Sequence, residues 1–179
     1  MIIFGIDPGT VNTGFGVISF KNNKLAYISS GIVSPSVKET MPRRLKIIFE
    51  MLNKEIQIHN PDELALETAF YGKNVQSAMK IGYARGISML VSAMNEIEIF
   101  EYSPRTVKQS VVGRGAATKE QVQFMVFKLL GFPNDTKMRF DETDALAVAI
   151  CHAFRKNFAG KGSGSWKKFI EENPEIVKQ

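Results

Sequence analysis

Four carboxylates in this sequence stand where an acid has a choice between structure and chemistry. Asp7 closes the apolar run IIFGID, and Glu67 closes a second one, ELALE. Asp141 and Asp144 lie three apart at the head of the run ALAVAI, a spacing that puts both on one helix face. Each acid has a plain structural use. Asp-Pro-Gly is turn chemistry, Glu67 suits a strand end at the surface, and Asp141 and Asp144 suit a helix cap and a helix-dipole partner. Their joint pattern suggests more. If the runs ending at Asp7 and Glu67 are neighbouring parallel strands, the two acids sit side by side at the carboxyl edge of a sheet, where open α/β folds bind ligands. A buried helix beginning nearby would add Asp141 and Asp144. Crowded carboxylates repel, and they persist where a cation neutralises them. An all-oxygen set suits Mg2+, with Mn2+ as a substitute, and two such ions about 4 Å apart are the apparatus of in-line phosphodiester cleavage.

The elements that must position these acids can be read from periodicity. MIIFGID, GFGVISF and LAYISSGIVS predict three strands joined by hairpins, the second through KNNK. Residues 40–58 predict a helix begun by Thr40 and Pro42. In the fourth strand, DELALETAF, Leu64 and Leu66 face one way while Ala65 and Glu67 face the other. Residues 74–94 predict a helix whose packed stripe is Val75, Ala78, Met79, Gly82, Gly86, Met89, Leu90 and Ala93. The small residues Ala78, Gly82 and Gly86 either pack on the chain's own sheet or admit another backbone. IEIFEYS is a fifth strand, PRTVKQSVV a short helix, GRGAA a loop, and TKEQVQFMVFKLLG a helix capped by Thr118 and closed by Gly131. DETDALAVAICHAFRK is apolar most of the way round, as a buried helix is. The expected fold class is α/β, a five-stranded mixed sheet of three antiparallel strands followed by parallel additions, flanked by helices. Residues 1–156 form one domain, and 157–179 read as a basic tail containing Gly, Ser and Lys.

Composition narrows the setting. A chain of 179 residues buries a real core. The single cysteine, Cys151, excludes an intrachain disulfide and fits a reducing, cytoplasmic compartment. Neither a signal peptide nor a membrane span is evident. The net charge of +5 is modest, but Lys73 to Lys119 holds seven bases against three acids. That is either a solvated face or a surface for an acidic partner.

With these residues assembled, a resemblance emerges. GIDPGTVNTGFGVI, LALETAFYGKNVQSAMKIGYARG, YSPRTVKQSVVGRGAATKEQVQFMV and DETDALAVAICHA, in this order and spacing, resemble the RuvC family of bacterial Holliday-junction resolvases. The resemblance implies a ribonuclease H-like fold, a homodimer, and magnesium-dependent nicking of two opposed strands of a four-way DNA junction. It also implies RuvA and RuvB, the branch-migration proteins, as partners. By position it assigns the acidic tetrad to Asp7, Glu67, Asp141 and Asp144, each a metal ligand. Two functional lysines fall on Lys108 and Lys119, and an aromatic that follows the glutamate falls on Phe70. Phe70 would stack on an unpaired base near the cut. Lys73, Lys80, Arg85 and Arg114 complete the expected DNA-binding set beside Phe70, Lys108 and Lys119. Glu142 and Thr143 depart from the small residues usual between the last two acids. His59 and His152 lack partners at ligand spacing and read as structural, or as solvent-facing in the case of His59.

Two other classes fit parts of the pattern. An actin-like ATPase or sugar kinase also opens with a strand, Asp, Gly, Thr and a hairpin, but it needs a second domain and a later Gly-rich phosphate loop. A non-catalytic junction-binding protein needs the basic face but not four convergent acids.

Overall fold

The computed structural model describes residues 1–68, 75–133 and 135–159. The elements follow in the order β1 (Ile2–Asp7), β2 (Thr13–Lys21), β3 (Lys24–Val33), α1 (Met41–His59), β4 (Glu63–Glu67), α2 (Val75–Met94), β5 (Glu98–Tyr102), α3 (Pro104–Val112), α4 (Lys119–Leu130) and α5 (Phe140–Ala159). The five strands form one sheet in the order β3-β2-β1-β4-β5. β1, β2 and β3 are antiparallel neighbours, while β4 and β5 add in parallel with β1. This is the mixed α/β sheet expected, with the β1–α1–β4 crossover making β1 and β4 neighbours.

Local chemistry explains the boundaries. Asn22 and Asn23 turn the β2–β3 hairpin with φ of 51° and 61°, a left-handed conformation that asparagine tolerates. Thr118 caps α4 in a reciprocal box with Gln121, and Gly131 ends it at φ 70°. Thr40 is the N-cap of α1 through backbone conformation alone, with no side-chain cap bond.

Each face of the sheet has its own core. Phe4, Ile6, Leu64 and Leu66 pack against Ile48, Leu52 and Ile56 of α1 and Val91 of α2. Ile3 and Ala65 pack on the other face against α3, α4 and α5. Every residue of α5 from Ala145 to Cys151 is fully buried. The helix reaches the sheet so closely because β1 and β2 carry glycine beneath it. A Cβ on Gly5 would lie 2.2 Å from the Ala145 carbonyl oxygen, and one on Gly14 would lie 1.9 Å from that of Asp141.

The buried stripe of α2 differs from the one expected. Ala84, Ser88, Val91 and Ser92 face the sheet, while Val75, Met79, Gly82, Gly86, Leu90 and Ala93 are exposed. The serines are tolerated inside because their hydroxyls bond locally, Ser88 to the Ala84 carbonyl at 2.9 Å and Ser92 to that of Ile97 at 2.5 Å. A Cβ on Gly82 or Gly86 would meet nothing within 4 Å, so these glycines do not pack on the sheet. α5 extends to Ala159, past the expected domain boundary at residue 156.

Candidate functional site

The strand pleat sets the direction of the first two acids. Ile3 and Ala65 point toward α5, so by alternation Asp7 and Glu67 point to the same side. The β1–β4 register pairs Ile6 with Leu66, which leaves Asp7 and Glu67 abreast at the carboxyl edge. α5 supplies the other two. Asp7 pairs with Gly14 in the β1–β2 register, and Gly14 lies directly under the Asp141 carbonyl. The missing side chain on Gly14 thus lets the first turn of α5 sit over the edge where Asp7 ends its strand. Asp144 follows one turn later.

The electrostatics confirm the crowding. Burial pushes the Glu67 carboxyl well above the ordinary range, and the neighbouring Asp7 and Asp144 raise it further. Asp7 is raised as well, first by burial and then by Asp144, with a smaller contribution from Asp141. A hydrogen bond between the two carboxyls adds to the rise at Glu67 and lowers Asp7. Lys119 provides the nearby positive charge. Its Nζ lies 2.8 Å from Asp144 Oδ2, and that bond holds its pKa above the usual lysine value. The same ammonium lies 6.0 Å from the ring centroid of Phe140, which is 37% exposed. Lys119 therefore offsets part of the charge that these carboxylates bring together.

The donor set fits hard divalent cations: oxygen ligands only, in surplus over local positive charge. No trio of carboxylate, imidazole or thiolate groups among the described residues is already closed around one point. Asp141 is turned onto Arg139, whose Nη2 stands 3.3 Å from Asp141 Oδ2. Arg139 also donates to the Asn12 amide oxygen at 2.9 Å, and that amide in turn donates to Ser34 Oγ at 2.9 Å. The turn after Asp7 is thereby held from both faces of the sheet. Arg139 grips it from the start of α5, and buried Arg44 donates from α1 to the Thr10 carbonyl. Thr13 Oγ1 closes the turn with a 2.6 Å bond to the Gly9 carbonyl. The hydroxyl-rich stretch behind Asp-Pro-Gly thus fixes the position of a carboxylate.

Among the other expected residues, Lys119 is paired with Asp144. Lys108 lies on α3 and makes no ion pair among the described residues. Lys80 is exposed on α2, and Arg85 is ion-paired with Glu101. Arg114 is exposed in the loop after α3. Phe70 and Lys73 lie outside the described residues. Glu142 is tied into the fold, accepting from Ser30 Oγ at 3.2 Å and from the Arg139 N–H at 3.3 Å. Thr143 is buried, its hydroxyl bonded to the Phe140 carbonyl at 3.0 Å.

His152 is structural, as expected, in a network that the sequence did not reveal. Its Nδ1 is 2.7 Å from the Tyr102 hydroxyl, and its Nε2 is 2.6 Å from Glu63. Burial raises Tyr102 to about 12, so its hydroxyl donates. Nδ1 must then accept and Nε2–H must donate to Glu63, which also holds Lys156. The site residues that sequence reading missed are Asn12, Arg139 and Phe140. A cation two positions before Asp141 was the available signal for Arg139.

Comparison with known proteins identifies the family. The family described as crossover junction endodeoxyribonuclease RuvC matches residues 3–152. The crossover junction endodeoxyribonuclease RuvC of Cytophaga hutchinsonii is 44% identical over 177 residues, covering 99% of this chain and 88% of that protein. Its counterpart in Francisella tularensis subsp. holarctica is 45% identical over 165 residues, covering 92% and 95%. Among solved structures, Thermus thermophilus RuvC in complex with Holliday junction substrate is 30% identical and superposes with a TM-score of 0.82 over 89% of this chain and 96% of that one. The acids that converge at the sheet edge therefore stand in a familiar frame: this chain belongs to the RuvC family of crossover junction endodeoxyribonucleases.

Proposed function

We propose that this chain resolves four-way Holliday junctions by metal-dependent hydrolysis of two opposed strands, as a homodimer acting in DNA recombination and repair. The observation that carries this reading is the convergence of Asp7, Glu67 and Asp144 from three separate elements, with Lys119 as their neighbouring cation. A family member has been solved with Holliday junction substrate, which supports the choice of DNA.

Asp7, Glu67, Asp141 and Asp144 would hold the metal, two Mg2+ ions with Mn2+ able to substitute. Bound there, the metal would supply Lewis acidity toward the scissile phosphate and would make an attacking water more acidic. Asp141 must leave Arg139 to join this set. Lys119 sits within reach of charge that develops on the phosphate. Lys108 and Arg114 contribute phosphate contacts, as do Lys73, Lys80 and Arg85 in the wider basic face. Phe70 stacks on an unpaired base beside the cut.

Two like cuts need two sites related by a two-fold axis. The exposed face of α2 is the favoured interface. Met79 is 53% exposed, Tyr83 43%, Leu90 49% and Met94 63%, with Gly82 and Gly86 leaving open space for another backbone. RuvA and RuvB are the expected partners, and the cytoplasm is the working compartment. Residues 1–156 act as the nuclease domain, with 157–179 as a basic appendage.

The test is cleavage of a synthetic four-way junction beside a linear duplex, with and without Mg2+. Paired symmetric nicks in the junction alone, dependent on metal, are expected. Equal cutting of both substrates, or tight junction binding without any cut, would refute the reading.

A further inference from the structure

His152 is 1% exposed, yet both of its ring nitrogens bond to groups outside its own helix: Nδ1 to the Tyr102 hydroxyl and Nε2 to Glu63 Oε2. Glu63 is buried as well, and Lys156, one turn beyond His152, bonds its other oxygen. The Phe100 ring stands 4.6 Å from the imidazole, centroid to centroid. Burying so many polar atoms is costly unless each is satisfied, and here each is. What such a network adds to a core is direction. A hydrogen bond weakens steeply when bent or stretched, whereas apolar contact is non-directional.

The partners of His152 lie on the two strands that meet at Glu67. Glu63 begins β4 four positions before Glu67, and alternation through Ala65 puts both acids on the α5 side of the sheet. Tyr102, on β5, is the register partner of Glu67, and its carbonyl accepts the Thr68 N–H at 2.8 Å. His152 follows Asp144 by eight positions on α5, about 12 Å along the axis at ~1.5 Å per residue. One imidazole therefore ties the helix that carries Asp144 to both strands that hold Glu67. The helix needs such a pin. Over β1 it lays Ala145 and Ala149 on Gly5, and alanine on glycine offers little ridge to stop a helix sliding along its axis.

We propose that His152 is a positioning residue for the acidic site: by bridging Tyr102 and Glu63 it sets the axial register of α5 against β4, and with it the separation of Asp144 from Glu67. The role rests on the nuclease reading above and adds His152, Tyr102 and Glu63 to the residues on which that chemistry depends. A misplacement of about 1 Å in a reacting group can cost on the order of 10²-fold in rate, so a pin two turns from Asp144 is near enough to matter.

The test is single-turnover nicking of a four-way junction over a Mg2+ series, beside junction binding in calcium and calorimetric titration of the metal-free protein with Mn2+. In Tyr102→Phe, which removes one oxygen, and in His152→Leu, nicking at saturating Mg2+ should fall about 10-fold or more and Mn2+ should bind more weakly. Junction affinity in calcium should be unchanged. The double variant should lose little more than the worse single one, because both break the same bridge. Glu63→Gln keeps an acceptor for Nε2–H and should nick like the wild type, whereas Glu63→Leu should not. Ile56→Val, in the core on the opposite face of the sheet, should lower the urea midpoint and leave the nicking rate alone. Should His152→Leu fold poorly, Tyr102→Phe decides. Wild-type nicking and Mn2+ affinity in folded Tyr102→Phe would overturn the role, as would a rate that follows the urea midpoint through every variant, Ile56→Val included. Wild-type protein that cuts no junction would instead count against the nuclease reading, and Mn2+ binding would still judge the pin.

Discussion

Helices α5 and α2 are each 20 residues long, and each meets glycine, yet the glycines mean opposite things. Beneath α5 they lie in the strands. Gly5 and Gly14 remove the side chains that would strike the helix backbone, so α5 sinks onto the sheet and carries Asp141 and Asp144 to Asp7. In α2 they lie in the helix, at Gly82 and Gly86, and face open space. One set answers a close approach already present in the chain. The other destabilises an exposed helix by about 1 kcal/mol per residue relative to alanine, with no return inside the monomer. A small-residue row identifies a close approach only once the opposing backbone is known.

Substitutions sharpen that contrast. The largest effect belongs to the α5 edge, where Lys119→Ala should lower the nicking rate by about 10²-fold or more. Lys80→Ala on α2 should leave the rate within a few-fold of wild type. Single-turnover junction cleavage measures both, and equal losses would erase the distinction. Gly14→Ala should come next. Its Cβ collides with backbone, so the fold should lose about 1–3 kcal/mol, and α5 should shift with a matching fall in nicking. Urea denaturation beside a cleavage assay reads the two together, and a stable, fully active Gly14→Ala protein would remove the close-approach argument. On α2, Gly86→Leu should leave the monomer folded while abolishing the dimer and the paired cuts. Sedimentation that still gives a dimer with symmetric nicking would exclude this face as the interface.

A pH dependence is also peculiar to the acidic edge. Asp7 is raised to about 6 and Glu67 to about 9, both above their unfolded values. The folded state therefore binds more protons than the unfolded one, and stability must fall as pH rises toward about 9. His152 works in the other sense, being lowered to about 4 by burial, but its contribution is complete above its ordinary value of 6.5. Between pH 6.5 and about 9 the metal-free protein should lose melting temperature steadily, and Mg2+ should flatten the decline by replacing the proton. Identical slopes with and without Mg2+ would show that the metal does not meet these carboxylates.

Much of this arrangement was legible in the sequence. The β1–α1–β4 crossover set Asp7 beside Glu67, and the apolar wrap of the last helix announced its burial. The α2 stripe was misread because small and apolar residues occupy both of its faces, and Ser88 and Ser92 do not look like core until their hydroxyls are seen bonded to carbonyls. The strand glycines carry no periodic signal, since their role lies in a helix more than 120 residues away. Asn12 and Arg139 were hidden for the same reason: they meet only through the tertiary packing of α5 over the first turn.

The central claim is that the carboxyl edge performs chemistry while the basic surface performs binding. Asp7→Asn tests it in one protein. Junction affinity measured in calcium should equal or exceed that of the wild type, because a negative charge near phosphate is gone, and nicking in Mg2+ should disappear with the circular dichroism spectrum intact. Loss of junction binding by that folded variant, or persistence of its nicking, would contradict the assignment of Asp7 to the metal site.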